Sequence, residues 1–284
     1  MKFLEKQSPS RIIAAGFLAV ILLGSWILML PCSVRPGVDL QYIDALFTST
    51  SAVCVTGLIA VDVGDTFTPF GQAVVAGLIQ IGGLGVTSVG VGMILALGRK
   101  VNLKERLLVK EAMNVDTGKG MVNLVKNVLK VTLCFEVAGA VLSFICFSKR
   151  YDPLKALGVS VFHSIAAFNN SGFDNMGNFQ NLIPYKDDVL LNMTTCGLII
   201  FGGLGFLVIV DILKKRSFRK LAFHSKAVIV TTIVLLTSGT LLIQLTEDIT
   251  WMGAFFTSVS ARTAGFSTFS LGDFTNAGLL AVAV

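Results

Sequence analysis

Charge is what this sequence has least of. Asp, Glu, Lys and Arg together make up 14% of its 284 residues, against about 25% in an ordinary soluble domain. A water-soluble protein of this length needs more charge to cover its surface, so that class is excluded. Proline is scarce at 6 residues, and the long apolar runs are seldom broken. Histidine is rarer still: His163 and His224 have no second ligand at metal spacing, so both are read as satisfying local hydrogen bonds and no transition-metal site is expected. The five cysteines, Cys32, Cys54, Cys134, Cys146 and Cys196, form no CxxC pair and lie mostly within apolar runs. They are read as small buried hydrophobes. The apolar runs also lack a Ser/His/Asp set, an HExxH motif or clustered carboxylates, which argues against a membrane enzyme.

What the chain has in excess is apolar sequence, 54% of it. A hydrocarbon layer about 30 Å thick is crossed by roughly 20 apolar residues in helix. The stretches 11–30, 70–98, 127–147, 187–213 and 223–245 are long enough. The first exceeds the h-region of a secretory signal and has no small-x-small site after it, so it is read as a retained span. A sixth run, 276–284, is nine residues long and too short to cross; the chain is read as a fragment ending within a helix.

Lys and Arg mark the cytoplasmic side of a membrane protein. Sixteen of the 23 basic residues fall in the N-terminus (Lys2, Lys6, Arg11), in the loop 99–126 and in the segment 214–226. The opposite loops carry 6 basic residues and 11 acids. That face is net negative although the whole chain is +6, and it would gather cations. A multi-pass protein of the plasma (inner) membrane with its N-terminus in the cytoplasm is expected.

The outer segments share a form. Each begins with an apolar stretch of about a dozen residues, too short to cross, then reaches a polar turn with a glycine and returns to a long span. Such re-entrant backbone is tolerated at membrane depth only where it lines a water-filled cavity. The segments are ALFTSTSAVCVTGL (45–58), VFHSIAAFNNSGF (161–173) and AFFTSVSARTAGF (254–266). Counted back from Gly57, Gly172 and Gly265, the tenth residue is Phe47, Phe162 or Phe255, the eighth a hydroxyl (Ser49, Ser164, Thr257) and the fifth small (Ala52, Ala167, Ser260). The expected fold class is all-α integral membrane, built of repeated helix–pore helix–filter loop–helix units. The division expected is a first repeat 1–98, a cytoplasmic loop 99–126, a second repeat 127–213, a loop 214–222 and an incomplete third repeat 223–284.

The chemistry of such a repeat suits a cation. Backbone carbonyls aimed at one axis can replace the water shell of a dehydrating ion, and aligning them calls for an unusual backbone conformation that glycine takes most readily. Candidate ligands are the carbonyls of Cys54, Val55, Thr56 and Gly57, of Asn169, Asn170, Ser171 and Gly172, and of Arg262, Thr263, Ala264 and Gly265. Each short helix would turn its partly negative C-terminal end toward them. Because the three repeats share one orientation, a pore is favoured over the alternative, a secondary transporter of different architecture coupling a cation to another solute, whose repeats are usually inverted.

DALFTSTSAVCVTGL (Asp44–Leu58) followed by QIGGLG (Gln80–Gly85) resembles the first repeat of the KtrB/TrkH/HKT superfamily of potassium transporters. AAFNNSGF (Ala166–Phe173) and SARTAGF (Ser260–Phe266) are similar to its second and third filter turns. The first span starts near the N-terminus without a leading helix pair, which fits the KtrB (Ktr system potassium uptake) branch. The resemblance implies a pore of four repeats in one chain, three of them present here, each giving one filter glycine. It implies potassium as the carried ion and leaves sodium open beside it. It also implies a homodimer of pore subunits in membrane lipid, seated on a cytoplasmic ring of nucleotide-binding, KtrA-like regulatory subunits. No cofactor in this chain and no nucleic-acid partner are expected.

Two further readings remain. The GGLG clusters, Gly82, Gly83 and Gly85 and Gly202, Gly203 and Gly205, follow no strand, so close helix packing is expected rather than phosphate binding. Glu136, a costly acid in mid-span, is expected to pair with Lys130 or with a residue of a missing repeat.

Overall fold

In a computed structural model, residues 8–96, 108 and 121–283 are described. Residues 99–107 and 109–120 of the basic loop, Lys2, Lys6 and Val284 lie outside them. Apart from an isolated bridge between Val34 and Phe67, the described residues are helices and connecting loops.

Three helices are long, apolar and unbroken: α1 (Pro9–Leu28), α6 (Met121–Phe147) and α10 (Phe223–Thr246). At 1.5 Å per residue, the 27 residues of α6 rise about 40 Å, ample for a layer of about 30 Å. Only 17–22% of the most apolar stretch of each is buried against protein. Leu18, Leu23, Trp26, Leu133, Val137, Ile233 and Val234 stand exposed, so an apolar solvent has to cover them. The fold is that of an all-α integral membrane protein.

The stretches 70–98 and 187–213, expected as two straight spans, are each broken. Helix α4 (Pro69–Leu84) turns into α5 (Val86–Ala96), and α8 (Val189–Leu204) into α9 (Phe206–Lys215). The bends are 104° and 96°. They fall at Gly85 (φ +80°) and Gly205 (φ +85°). A Cβ at either glycine would meet nothing within 4 Å, so these two are hinges, not packing glycines. The packing expected of the GGLG clusters belongs to their other members. A Cβ on Gly82 would run into the Val53 carbonyl, and one on Gly202 into the Phe168 carbonyl.

The remaining helices are short: α2 (Tyr42–Cys54), the single turn α3 (Val63–Thr66), α7 (Pro153–Phe168), α11 (Trp251–Thr263) and α12 (Asn276–Ala283). Helices α2, α7 and α11 each pack on a long helix, α1, α6 and α10 respectively. One hydrogen bond recurs in all three pairs. Ser49 Oγ donates to Ile21 O at 2.8 Å, Ser164 Oγ to Glu136 O at 2.7 Å and Ser258 Oγ to Leu236 O at 3.1 Å. Three residues further along each long helix stands a glycine, Gly24, Gly139 or Gly239, whose Cβ would come 2.5–2.6 Å from the same serine oxygen. Glycine there lets the two helix backbones approach closely enough for the serine to reach across.

The third pair shifts the expected register. Thr257 aligned with Ser49 and Ser164 when counted from the glycine, but its neighbour Ser258 makes the bond. The cysteines also divide: Cys146 and Cys196 are buried, whereas Cys32, Cys54 and Cys134 are exposed.

Candidate functional site

Helices α2, α7 and α11 end where the three glycine turns meet. A Cβ on Gly57 would lie 2.5 Å from Ser171 O and 3.7 Å from the Gly172 Cα. One on Gly172 would lie 2.5 Å from Ala264 O and 3.3 Å from the Gly265 Cα. The turns therefore sit side by side in chain order, each glycine against the backbone of the next. Gly172 is buried between its neighbours, while Gly265 is exposed. All three glycines are left-handed, at φ +72°, +71° and +82°, where a side chain costs roughly 1–2 kcal/mol.

The backbone around them follows from the helix ends. Thr56 N donates to Ser51 O at 3.0 Å and Ser171 N to Ala166 O at 2.9 Å, so the first two turns close alike. Val55 and Asn170, two residues before their glycines, are also left-handed, at φ 55° and 57°. In the third turn the glycine itself makes that bond, Gly265 N to Ser260 O at 3.2 Å. It is one residue shorter and contains no left-handed residue before Gly265. Arg262 and Thr263 are still within α11, so the non-helical part of this turn begins at Ala264.

Gly172 O accepts from Asn181 Nδ2 at 3.3 Å. The other carbonyls of the twelve candidate residues have no protein donor among the described residues. They are gathered at the C-terminal ends of three helices, where each macrodipole is negative. The arrangement can present oxygen to a cation without any carboxylate.

Several side chains of these residues tie the turns to the scaffold and to one another. Thr56 Oγ1 meets Ser51 Oγ at 3.0 Å. Asn169 Nδ2 donates to Gln80 Oε1 at 3.0 Å and to Glu136 Oε1 at 3.3 Å. Glu136 is thus partnered by Asn169, in place of the expected Lys130. Asn170 meets Thr263 Oγ1 at 2.7 Å; with its amide nitrogen turned toward acceptors it reaches Ala167 O at 3.0 Å and Ile199 O at 3.2 Å. Arg262 Nη1 donates to Thr232 Oγ1 at 2.9 Å. Behind the second turn, His163 Nε2 meets Thr195 Oγ1 at 2.9 Å, and its ring lies edge-on to Phe147 and Phe266.

Residues absent from the sequence-based site hold the turns from above. Asn181 joins two of them: its Nδ2 reaches Gly172 O, and its Oδ1 accepts from Ser267 N at 3.1 Å. Asp62 Oδ2 accepts from Phe179 N at 2.6 Å and Asp65 Oδ2 from Asn178 N at 2.7 Å, tying the first outer loop to the second. Asp174 Oδ1 accepts from Met176 N at 3.0 Å. Burial, and then the charges of Asp62 and Asp65, push the Asp174 carboxyl up to about 6. The only hint of this lattice in the sequence is the run DNMGNFQN (174–181), rich in residues that tolerate left-handed turns.

A cavity of about 340 Å³ is lined by both hinge regions, Gly82–Gly85 and Leu204–Val208, together with Ser88, Leu124, Val128 and His224.

Comparison with known proteins agrees with this architecture. Ktr system potassium uptake protein B of Bacillus subtilis (strain 168) is 38% identical over 279 residues, covering 94% of this chain and 62% of its own length. Potassium/sodium uptake protein NtpJ of Enterococcus hirae is 36% identical over 287 residues, covering 97% of this chain and 63% of its own length. This chain therefore spans under two thirds of the curated relatives it matches. The crystal structure of the potassium transporter TrkH from Vibrio parahaemolyticus shares the fold, with a TM-score of 0.65 at 19% identity, over 98% of this chain and 56% of that one. The family profile described as "TrkH: Cation transport protein" matches residues 5–284. The chain belongs to the TrkH family of cation transport proteins, which are ion transporters and not enzymes.

Proposed function

We propose that this protein carries potassium across the plasma membrane, and that the ion passes between the three glycine turns. The observation that carries the reading is the side-by-side placement of Gly57, Gly172 and Gly265, each left-handed, at the ends of three short helices. The carbonyls of Cys54–Gly57, Asn169–Gly172 and Arg262–Gly265 replace the water shell of the ion. Helix dipoles add to the attraction without binding a fixed countercharge that would hold the ion.

In this reading the face with Asp62, Asp65 and Asp174 is external. The exposed basic segment Lys214–Lys220 and the N-terminus are cytoplasmic, in line with the rule for basic loops. Relatives named as potassium and potassium/sodium uptake proteins support potassium as cargo and keep sodium open beside it. A homodimer resting on a ring of nucleotide-binding regulatory subunits completes the assembly.

The protein at its natural length, reconstituted in liposomes, tests this. An imposed potassium gradient should drive tracer uptake, and potassium should be preferred over sodium. Vesicles that take up neither ion at verified protein content would overturn the reading.

A further inference from the structure

Glu136 is an acid near the middle of α6, where a charged side chain is expensive and is kept only with a partner. Its Oε1 lies 3.3 Å from Asn169 Nδ2, and the same nitrogen donates to Gln80 Oε1 at 3.0 Å and to Ile165 O at 2.9 Å. Asn169 is the residue immediately after α7, with φ −83° and ψ 2°, and the first of the second turn. On its other side, a Cβ at Gly83 would collide with Asn169 Oδ1. One amide is therefore clasped by α4, α6 and α7 together, and its own carbonyl is among the candidate ion ligands.

The clasp is not part of the shared scaffold. Glu136 occupies the position whose backbone oxygen accepts the recurrent serine hydrogen bond, and the matching residues in the other long helices are Ile21 and Leu236. The scaffold bond needs only the backbone carbonyl, so the carboxyl is not required to seat α7 on α6. It acts on Asn169 instead.

We infer that Glu136, acting with Gln80 through the Asn169 side chain, is a positioning residue for the second turn and sets how well the pathway discriminates potassium from sodium. The inference rests on the conduction reading above and extends it to two residues outside the three turns. Three acceptors share the two hydrogens of this amide, so removing the carboxylate lets Asn169 settle onto Gln80 Oε1 and Ile165 O alone and shifts its own carbonyl with it. A shift of a few tenths of an ångström matters more to a closely fitted dehydrated ion than to total flux.

The test measures potassium and sodium uptake side by side in liposomes, using the natural-length protein at equal membrane abundance. Glu136→Leu should lower the potassium-to-sodium ratio roughly fivefold, the factor one hydrogen bond carries. Glu136→Gln, which can still accept from Asn169, should stay within about twofold of wild type. Gln80→Leu should move the ratio the same way, and the double variant should lose less than the product of the two singles. Leu198→Ala, which loosens packing against α6 at Gly139, should leave the ratio unchanged. If Glu136→Leu does not reach the membrane, Gln80→Leu decides. An unchanged ratio in the leucine variants, or an equal fall in Leu198→Ala, overturns the inference while a potassium-preferring wild type leaves conduction standing. A wild type that carries neither ion overturns the functional reading and this inference with it.

Discussion

Gly202 packs against the carbonyl oxygen of Phe168, the last residue of α7, so closely that a Cβ there would collide with it. Gly82 stands in the same relation to Val53 near the end of α2. Each glycine lets the helix following a turn approach the C-terminal end of the short helix before it. Helix α7 is also packed against α6, which resists a shift of the carbonyl away from an added Cβ. Gly202→Ala and Gly82→Ala should each cost about 1–3 kcal/mol, as overpacking does. The measurement is thermal unfolding of purified protein, with Gly197→Ala, where the added carbon meets nothing within 4 Å, as the unaffected reference.

Gly172→Ser should change the potassium-to-sodium uptake ratio roughly tenfold, since a left-handed serine costs roughly 1–2 kcal/mol and its Cβ would press on Ala264 O. A substitution at Gly205 would instead strain the hinge between α8 and α9, which sits at φ +85°. Gly197→Ala supplies the control and should leave the ratio alone. An unchanged ratio in Gly172→Ser at equal abundance would remove Gly172 from the ion path.

Asp174 should make stability depend on pH in one direction. Its folded pKa is raised to about 6 from an ordinary 3.8, so the protonated form is the one folding favours. The stabilisation is fully present below about 3.8 and is lost as pH rises through about 6. Asp174→Asn keeps a neutral side chain at every pH. The melting temperature of wild type relative to Asp174→Asn should therefore fall between about pH 4 and pH 6, most steeply near pH 5, and level off above. A difference that is flat across this range would show that the carboxyl is no more burdened folded than unfolded.

The turn between α9 and α10 is ordered by Asp211, which pairs with Lys215 at 2.7 Å and accepts from Ala222 N and Ser225 Oγ at 2.9 and 2.8 Å. Arg216, Arg219 and Lys220 take no part in those bonds and are exposed. Neutralising the three should weaken co-purification with a cytoplasmic regulatory subunit while membrane insertion is retained. Undiminished co-purification would place the contact elsewhere.

How much was legible in the sequence depended on the range of the interaction involved. Composition determined an all-α membrane protein, because the solvent acts on each apolar run separately and no tertiary partner is needed to read it. The three glycines were also legible, since a left-handed turn after a short helix is a local demand on the chain. The register of the third helix was not. Counting from Gly265 pointed to Thr257, and only the seating of α11 on α10 shows that Ser258 reaches Leu236 O. The bends at Gly85 and Gly205 escaped for a related reason. Glycine within an apolar run reads equally as a packing residue or a hinge, and what decides is whether a neighbour lies within reach of its missing Cβ. Glu136 announced itself as an anomaly, but its partner Asn169 lies 33 residues away and Gln80 another 89 residues before that. Those pairings exist only because α4, α6 and the end of α7 are packed together, and that convergence is a property of the packed helices, not of any one segment.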